Sequence, residues 1–238
     1  MDRSHRRIVR RTNRPVVTVA LALAMFLAAV ESTIVATAMP AIVSALGGFS
    51  LFTWVFSIYL LTEAVSIPIY GKLADLYGRK PVFILGTSLF LLGTALCGRS
   101  NNMLQLIVYR GIQGLGSGAV LPIASTMIGD LYTLQERPRV QGALGSVWAL
   151  AAVVGPALGG FIVAHLTWHW IFYINVPFGL ISIAVLVFFL HEEVQRSGVR
   201  ARVDYAGALL LVVGVAALIL LLVQGGTSWP WTSPPAYG

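Results

Sequence analysis

Seven mostly apolar stretches punctuate this chain, each close to the roughly 20 residues a helix needs to cross a 30 Å hydrocarbon core. They cover residues 16–38, 51–70, 81–98, 103–123, 140–164, 170–190 and 205–224. A bilayer offers the backbone no water to bond, so such runs fold as helices with internal hydrogen bonds. The expected fold class is all-α and integral to the membrane. Composition points the same way: 57% of the 238 residues are hydrophobic and 11% are charged. A soluble domain carries about 25% charged residues, so an ordinary cytosolic enzyme, a disordered chain and a secreted disulfide scaffold are all excluded. Cys97 is the single cysteine, which rules out an internal disulfide and a cysteine-rich metal site.

The formal charge of +7 is distributed as a membrane protein requires. Arg3, Arg6, Arg7, Arg10, Arg11 and Arg14 form a basic tail over residues 1–15, suited to anionic headgroups rather than nucleic acid. The tail and the connectors 71–80, 129–139 and 191–204 hold 14 of the 16 basic residues, whereas the alternate connectors hold only Arg99. The positive-inside rule places the N-terminus in the cytoplasm, and seven crossings then put the C-terminus outside. The first run is longer than a signal-peptide core, contains Glu31 and is followed by further spans, so it reads as a helix that stays.

Several chemical motifs fail in this context. Gly71-Lys72 lacks the glycine spacing of a phosphate loop, and the Gly114–Gly118 run lies inside an apolar segment with no strand before it. His165, Trp168, His169 and Trp170 cluster where amphipathic rings anchor at an interface, which suits them better than metal ligation.

Three ionisable residues fall within spans: Glu31, Glu63 and Arg110. Each costs about 2.5–3.5 kcal/mol at a helix centre, so none is expected to face lipid unpaired. At a rise of 1.5 Å per residue, Glu31 lies roughly 12 Å below the outer end of its span and Arg110 about 10 Å below the outer end of the fourth. The two pair if helices one and four touch, either as a fixed packing element or as a protonation site. Glu63 lies nearer the midplane on a stripe with Tyr59, Ser66 and Tyr70; it reads equally as a proton or cation carrier or as a neutral hydrogen-bonding acid. Arg110, Gln113, Gly114 and Ser117 share an inward face of the fourth helix. On the fifth, Gly155-x-x-x-Gly159 permits close helix approach and Pro156 removes a backbone bond; packing is favoured over a hinge. The GKLADLYGRK connector, bracketed by Gly71 and Gly78, reads as a tight cytoplasmic turn in which Asp75, Arg79 and Lys80 pair with each other or with helix ends.

Taken together, these segments resemble the major facilitator superfamily, and in particular its 14-helix drug:proton antiporters of the QacA/EmrB type. GKLADLYGRK resembles the loop signature between helices two and three, LIVYRGIQGLGSGAV the basic motif of helix four, VVGPALGGF the antiporter motif of helix five, and VESTIVATAMP the helix-one motif. WHWIFYINVPFG at 168–179, DYAGALLLVVGVAAL and QGGTSWPWTSP also resemble that group. The resemblance implies a six-helix N-terminal bundle over 16–190, made of two inverted three-helix repeats. A cytoplasmic loop at 191–204, a seventh helix at 205–224 and an extracytoplasmic segment at 225–238 follow it. It further implies proton coupling through Arg110 and through Glu31, which stands where aspartate is more usual; Glu63 joins them as an expected proton-coupling residue from its own place within the second span. Gly71, Asp75, Gly78, Arg79 and Lys80 would form the gating loop, and Gly155, Pro156, Gly159 and Gly160 the helix-five seam.

Trp54, Tyr59, Gln113 and Trp148 are expected to line a substrate cavity for lipophilic cations. The expected partners are the lipid bilayer, protons, a small lipophilic substrate and a missing C-terminal half, with a proton gradient in place of any cofactor and no nucleic acid. The location implied is the cell (inner) membrane. Alternating access needs two bundles, so the chain is expected to be the N-terminal part of a transporter. The rival readings are a facilitator for an anionic or sugar solute anchored by Arg110, and a non-transporting membrane partner derived from a half-transporter.

Overall fold

The computed structural model describes residues 12–191 continuously and, beyond them, Gly207, Leu210, 213–218 and Leu221. Among the described residues the chain is helical with no strand. Asn13 starts α1 (Arg14–Leu46) by accepting from the Val16 amide, with a proline in the first turn. Gly47 and Gly48, at φ of 70° and 72°, turn the chain into a short 3-10 segment, Phe49–Leu51, which leads into α2 (Phe52–Tyr77). Then come α3 (Arg79–Cys97), α4 (Met103–Leu131), α5 (Arg137–His165), α6 (Trp170–Tyr173) and α7 (Asn175–Phe189). The last two form one span, so among the described residues six helices are long and apolar enough to cross a membrane. The expected seventh span, 205–224, falls mostly outside the described residues; the isolated positions that are described there are helical.

The helices overshoot their apolar runs. A helix needs no lipid to satisfy its backbone, so α1 extends to Leu46 and α4 to Leu131, beyond the sequence-based ends at 38 and 123. The same reason corrects the reading of the 71–80 connector as a turn. Gly71 and Asp75 lie within α2, and Gly78 alone separates α2 from α3. Its φ of 93° suits glycine and poorly suits other residues.

The packing pattern carries a symmetry. α1 packs against α5 and α7, while α4 packs against α2 and α3, and α1 meets α4 at the centre. Exchanging the first three spans with the last three maps these pairings onto one another. An odd number of crossings per repeat makes the second copy run in the opposite sense, as in inverted repeats.

Glu136 sits immediately before α5, where its carboxylate accepts from the Thr133 amide at 2.9 Å and the Thr133 hydroxyl at 3.0 Å. The amide bond first, then the hydroxyl, holds its pKa below the ordinary value of 4.5. Because the folded value is the depressed one, this contribution is present above the ordinary carboxylate range and is lost as pH falls through the folded value. Hydrogen exchange of the backbone amides of residues 133–137, 139 and 140 is expected to speed up on acidification through that range, and the Glu136→Gln variant to lose the dependence.

Candidate functional site

The site is a network of polar side chains enclosed at the centre of an apolar bundle. Glu31 projects from α1 with none of its surface exposed, and Arg110 of α4 is 1% exposed. Arg110 Nη1 donates to Glu31 Oε1 at 3.1 Å and to Gln113 Oε1 at 2.6 Å. Gln113 Nε2 donates to the same Glu31 oxygen at 2.8 Å and to Thr94 Oγ1 of α3 at 2.8 Å. Asn175, at the start of α7, donates to Glu31 Oε2 at 2.5 Å. Arg110 Nε donates to the Val55 carbonyl of α2 at 3.3 Å. Both carboxylate oxygens are therefore served by donors, the condition under which a charge pair survives away from water.

A second branch leaves the same arginine. The guanidinium lies 4.1 Å from the centroid of the Tyr59 ring, an electrostatically favourable placement of a cation on an aromatic face. Tyr59 Oη donates to Ser117 Oγ at 2.7 Å, and Ser117 Oγ donates to Glu63 Oε1 at 2.7 Å. Ser117 has no exposed surface, whereas Glu63 is half-buried. Five spans thus meet at one cluster, and α5 supplies none of its groups.

Glycines let the backbones come close enough for these bonds. Gly114 and Gly118, one turn apart, face the α2 backbone at Tyr59 and Glu63, while Gly116 faces Phe90 and Gly86 of α3. Gly93 of α3 faces the backbone of Gln113. The Gly114–Gly118 run is thus a close-packing surface on two sides of α4.

At the end of the bundle carrying Gly78, Arg79 pairs with Asp130 of α4 and donates to the Thr126 carbonyl at 3.2 Å. Lys80 Nζ donates to the carbonyls of Val187 at 2.9 Å and Leu190 at 2.6 Å, closing the last turn of α7. Asp75 is exposed and borders a cleft of about 150 Å³ with Gly71, Arg79 and Thr126.

The helix-five motif divides into two faces. Gly155 and Gly159 are buried against Thr33, Ile34 and Thr37 of α1, whereas Pro156 and Gly160 point away and a side chain at Gly160 would meet nothing. Gly155→Val is expected to cost about 1–3 kcal/mol by forcing α5 off α1. Gly160→Ala is expected to be neutral or to gain up to about 1 kcal/mol through helix propensity. Thermal unfolding of the two variants compares them directly.

The expected cavity wall is not assembled as such. Tyr59, 3% exposed, and Gln113, fully buried, are taken up by the Arg110 network, since a buried guanidinium needs every donor directed at a partner. Trp54 is half-buried and Trp148 is 45% exposed on α5. An apolar groove of about 590 Å³ instead lies between α1 and α2, lined by Met39, Pro40, Val43, Phe49, Phe52 and Phe56. Sequence reasoning missed Asn175, Thr94 and Asp130. Asn175 had a readable signal, an amide side chain inside an otherwise apolar run.

The Major Facilitator Superfamily model matches residues 21–232. The multidrug transporter protein MdtP of Bacillus subtilis (strain 168) is 44% identical over 224 residues, taking in 94% of this chain and 41% of that protein. The efflux pump dotC of Dothistroma septosporum (strain NZE10 / CBS 128990) is 40% identical over 221 residues, 92% of this chain and 38% of that protein. The chain thus spans about two fifths of the length of these relatives. Among solved structures, the human organic anion transporter MFSD10 superposes with a TM-score of 0.70 at 17% identity, over 95% of this chain and 60% of that one. A D-xylose-proton symporter gives 0.67 at 14% identity, over 87% and 56%. Those identities speak for the fold alone. A sequence match that begins within α1 and continues past α7 settles kinship: this multi-pass membrane chain belongs to the Major Facilitator Superfamily, a family of transporters and not of enzymes.

Proposed function

We propose that the chain forms the N-terminal half of a proton-driven exporter of small lipophilic, mainly cationic compounds. It would sit in the cell membrane with its N-terminus in the cytoplasm and work with a second helical half. The observation that carries this reading is the enclosed Glu31–Arg110 pair, which sits in the bundle interior with Glu63 linked to it. An ionisable pair inside a membrane bundle is expensive to keep and marks a proton or ion pathway by default. The relatives it matches, a multidrug transporter and an efflux pump, support export and a broad substrate range.

In this reading a proton arriving at Glu31 cancels its charge and releases Arg110, so the network that holds α1, α3, α4 and α7 together changes arrangement. Loss of the proton restores the pair. The gradient supplies the energy and no cofactor is required. Glu63 adds negative charge that suits a cationic substrate. Gly71, Asp75, Gly78, Arg79 and Lys80 would gate the cytoplasmic end, and the Gly155–Gly159 face would be the seam along which α5 moves on α1.

The test uses everted vesicles from cells expressing the complete reading frame that contains these 238 codons, with tetraphenylphosphonium as probe. Gradient-driven accumulation is expected, abolished by a protonophore and reduced at least 100-fold by Glu31→Gln. Flux that persists after the gradient collapses would replace this reading with a facilitator. A reading frame that stops at codon 238, with no flux, would replace it with a non-transporting partner.

A further inference from the structure

We propose that Tyr59 and Ser117 are positioning residues that transmit the charge state of Glu63 to the Glu31–Arg110 pair. The inference rests on reading Glu31, Glu63 and Arg110 as proton-handling groups and adds how the two acids communicate. Their exposures differ: Glu63 is half-buried, so an arriving proton reaches it first, whereas Glu31 is fully enclosed and is reached after it. Between them runs one continuous path. Glu63 accepts from Ser117, Ser117 accepts from Tyr59, and the Tyr59 ring carries the Arg110 guanidinium 4.1 Å from its centroid. Arg110 then donates to Glu31.

The polarity of this path is set by Glu63. While Glu63 is a carboxylate, each hydroxyl donates toward it: Tyr59 O–H to Ser117 Oγ, and Ser117 O–H to Glu63 Oε1. A proton added to that oxygen turns it from acceptor to donor. Glu63 O–H then points at Ser117 Oγ, Ser117 O–H at Tyr59 Oη, and the Tyr59 hydroxyl hydrogen needs a new acceptor. The added proton stays on Glu63, and no bond other than hydrogen bonds changes. The hydroxyl hydrogen turns about the Cζ–Oη bond and, together with the Tyr59 side chain, shifts to find that acceptor, because a buried donor left unmet is costly. That shift weakens the contact between the Tyr59 ring and the Arg110 guanidinium and, through it, the hold of Arg110 on Glu31.

The other groups around the path fit this role. α4 contributes Arg110 itself, α1 contributes Glu31, and α3 contributes Cys97, whose Sγ lies 3.7 Å from Gln113 Oε1. Arg110 is thus the one cation facing both acids among the described residues of the cluster. A change at Glu63 has no competing cation through which to dissipate.

Infrared titration of the purified complete transporter tests this without requiring transport. Carboxyl bands are assigned with Glu31→Gln and Glu63→Gln. Neutralising Glu63 is expected to move the pH at which Glu31 titrates by about one unit or more in the native background, the scale that defines coupled sites. In Tyr59→Phe, which keeps the ring under Arg110 and removes only the hydroxyl, that movement is expected to shrink at least fivefold. Ser117→Ala is expected to do the same, and serves if Tyr59→Phe does not fold. Undiminished coupling in either variant, or no Glu63-dependent movement in the native protein, overturns the inference. Intact coupling beside an absence of proton-driven tetraphenylphosphonium flux would overturn the exporter reading and leave the Tyr59–Ser117 link standing.

Discussion

Arg110→Ala is expected to destabilise the bundle by about 3–5 kcal/mol, the cost of leaving a buried charge without its partner. The structure explains why no neighbour compensates. Glu31 is completely enclosed, and its remaining donors, Gln113 and Asn175, are neutral amides. Gln113 also loses the donor to its own carbonyl oxygen, and the Tyr59 ring loses the cation on its face. Adding Glu31→Gln to Arg110→Ala removes both charges together, so the double variant is expected to recover a large part of the loss. Unfolding followed by tryptophan fluorescence across the four-protein cycle measures the coupling. Equal losses in the single and double variants would mean that the pair contributes only through packing volume.

A second large effect is expected at Gly116. A Cβ there meets the amide nitrogen and Cα of Phe90 and the carbonyl of Gly86, all backbone atoms of α3 that have no rotamer to yield. Gly116→Val should therefore reach or exceed the upper end of the usual 1–3 kcal/mol for overpacking. It should also carry a functional penalty, because pushing α3 from α4 withdraws Thr94 from Gln113. Gly142→Val on α5, where a side chain would meet nothing within 4 Å, is the control and is expected to stay within about 0.5 kcal/mol. Thermal midpoints of the two variants decide it, and similar losses would contradict the packing described for α4.

What was legible in the sequence follows from which coordinates a helix makes linear. Depth along a span is residue number times 1.5 Å, so Glu31 and Arg110 could be placed at one level before their helices were paired. The structure brings them to 3.1 Å. Rotation and neighbour choice are not linear in sequence, and there the reading ran out. The helical spacing places Glu63 on a stripe with Tyr59, Ser66 and Tyr70 but does not say which neighbouring helix meets it. Its partner is Ser117, a hydroxyl on α4 that packs close because Gly114 and Gly118 flank it. The aromatic character of Tyr59 suits a cavity wall, and only the packing of α2 on α4 shows that its ring lies against Arg110 and its hydroxyl donates to Ser117. The 71–80 segment, charged and bracketed by Gly71 and Gly78, reads as a turn in the sequence. Charge does not end a helix, and only Gly78 does so there. Thr94 shows the same limit: it is one hydroxyl among several in its span until α3 packs on α4 and brings it to Gln113.

Proton release on substrate binding tests the central claim most directly. Purified transporter carrying this chain, in weakly buffered detergent solution with a pH indicator, is mixed with tetraphenylphosphonium. Binding accompanied by release of protons from the native protein, with that release lost in Glu31→Gln, is the expected result. Binding of tetraphenylphosphonium without any proton release, or undiminished release from Glu31→Gln, would contradict a mechanism in which the buried Glu31–Arg110 pair exchanges the proton for the substrate.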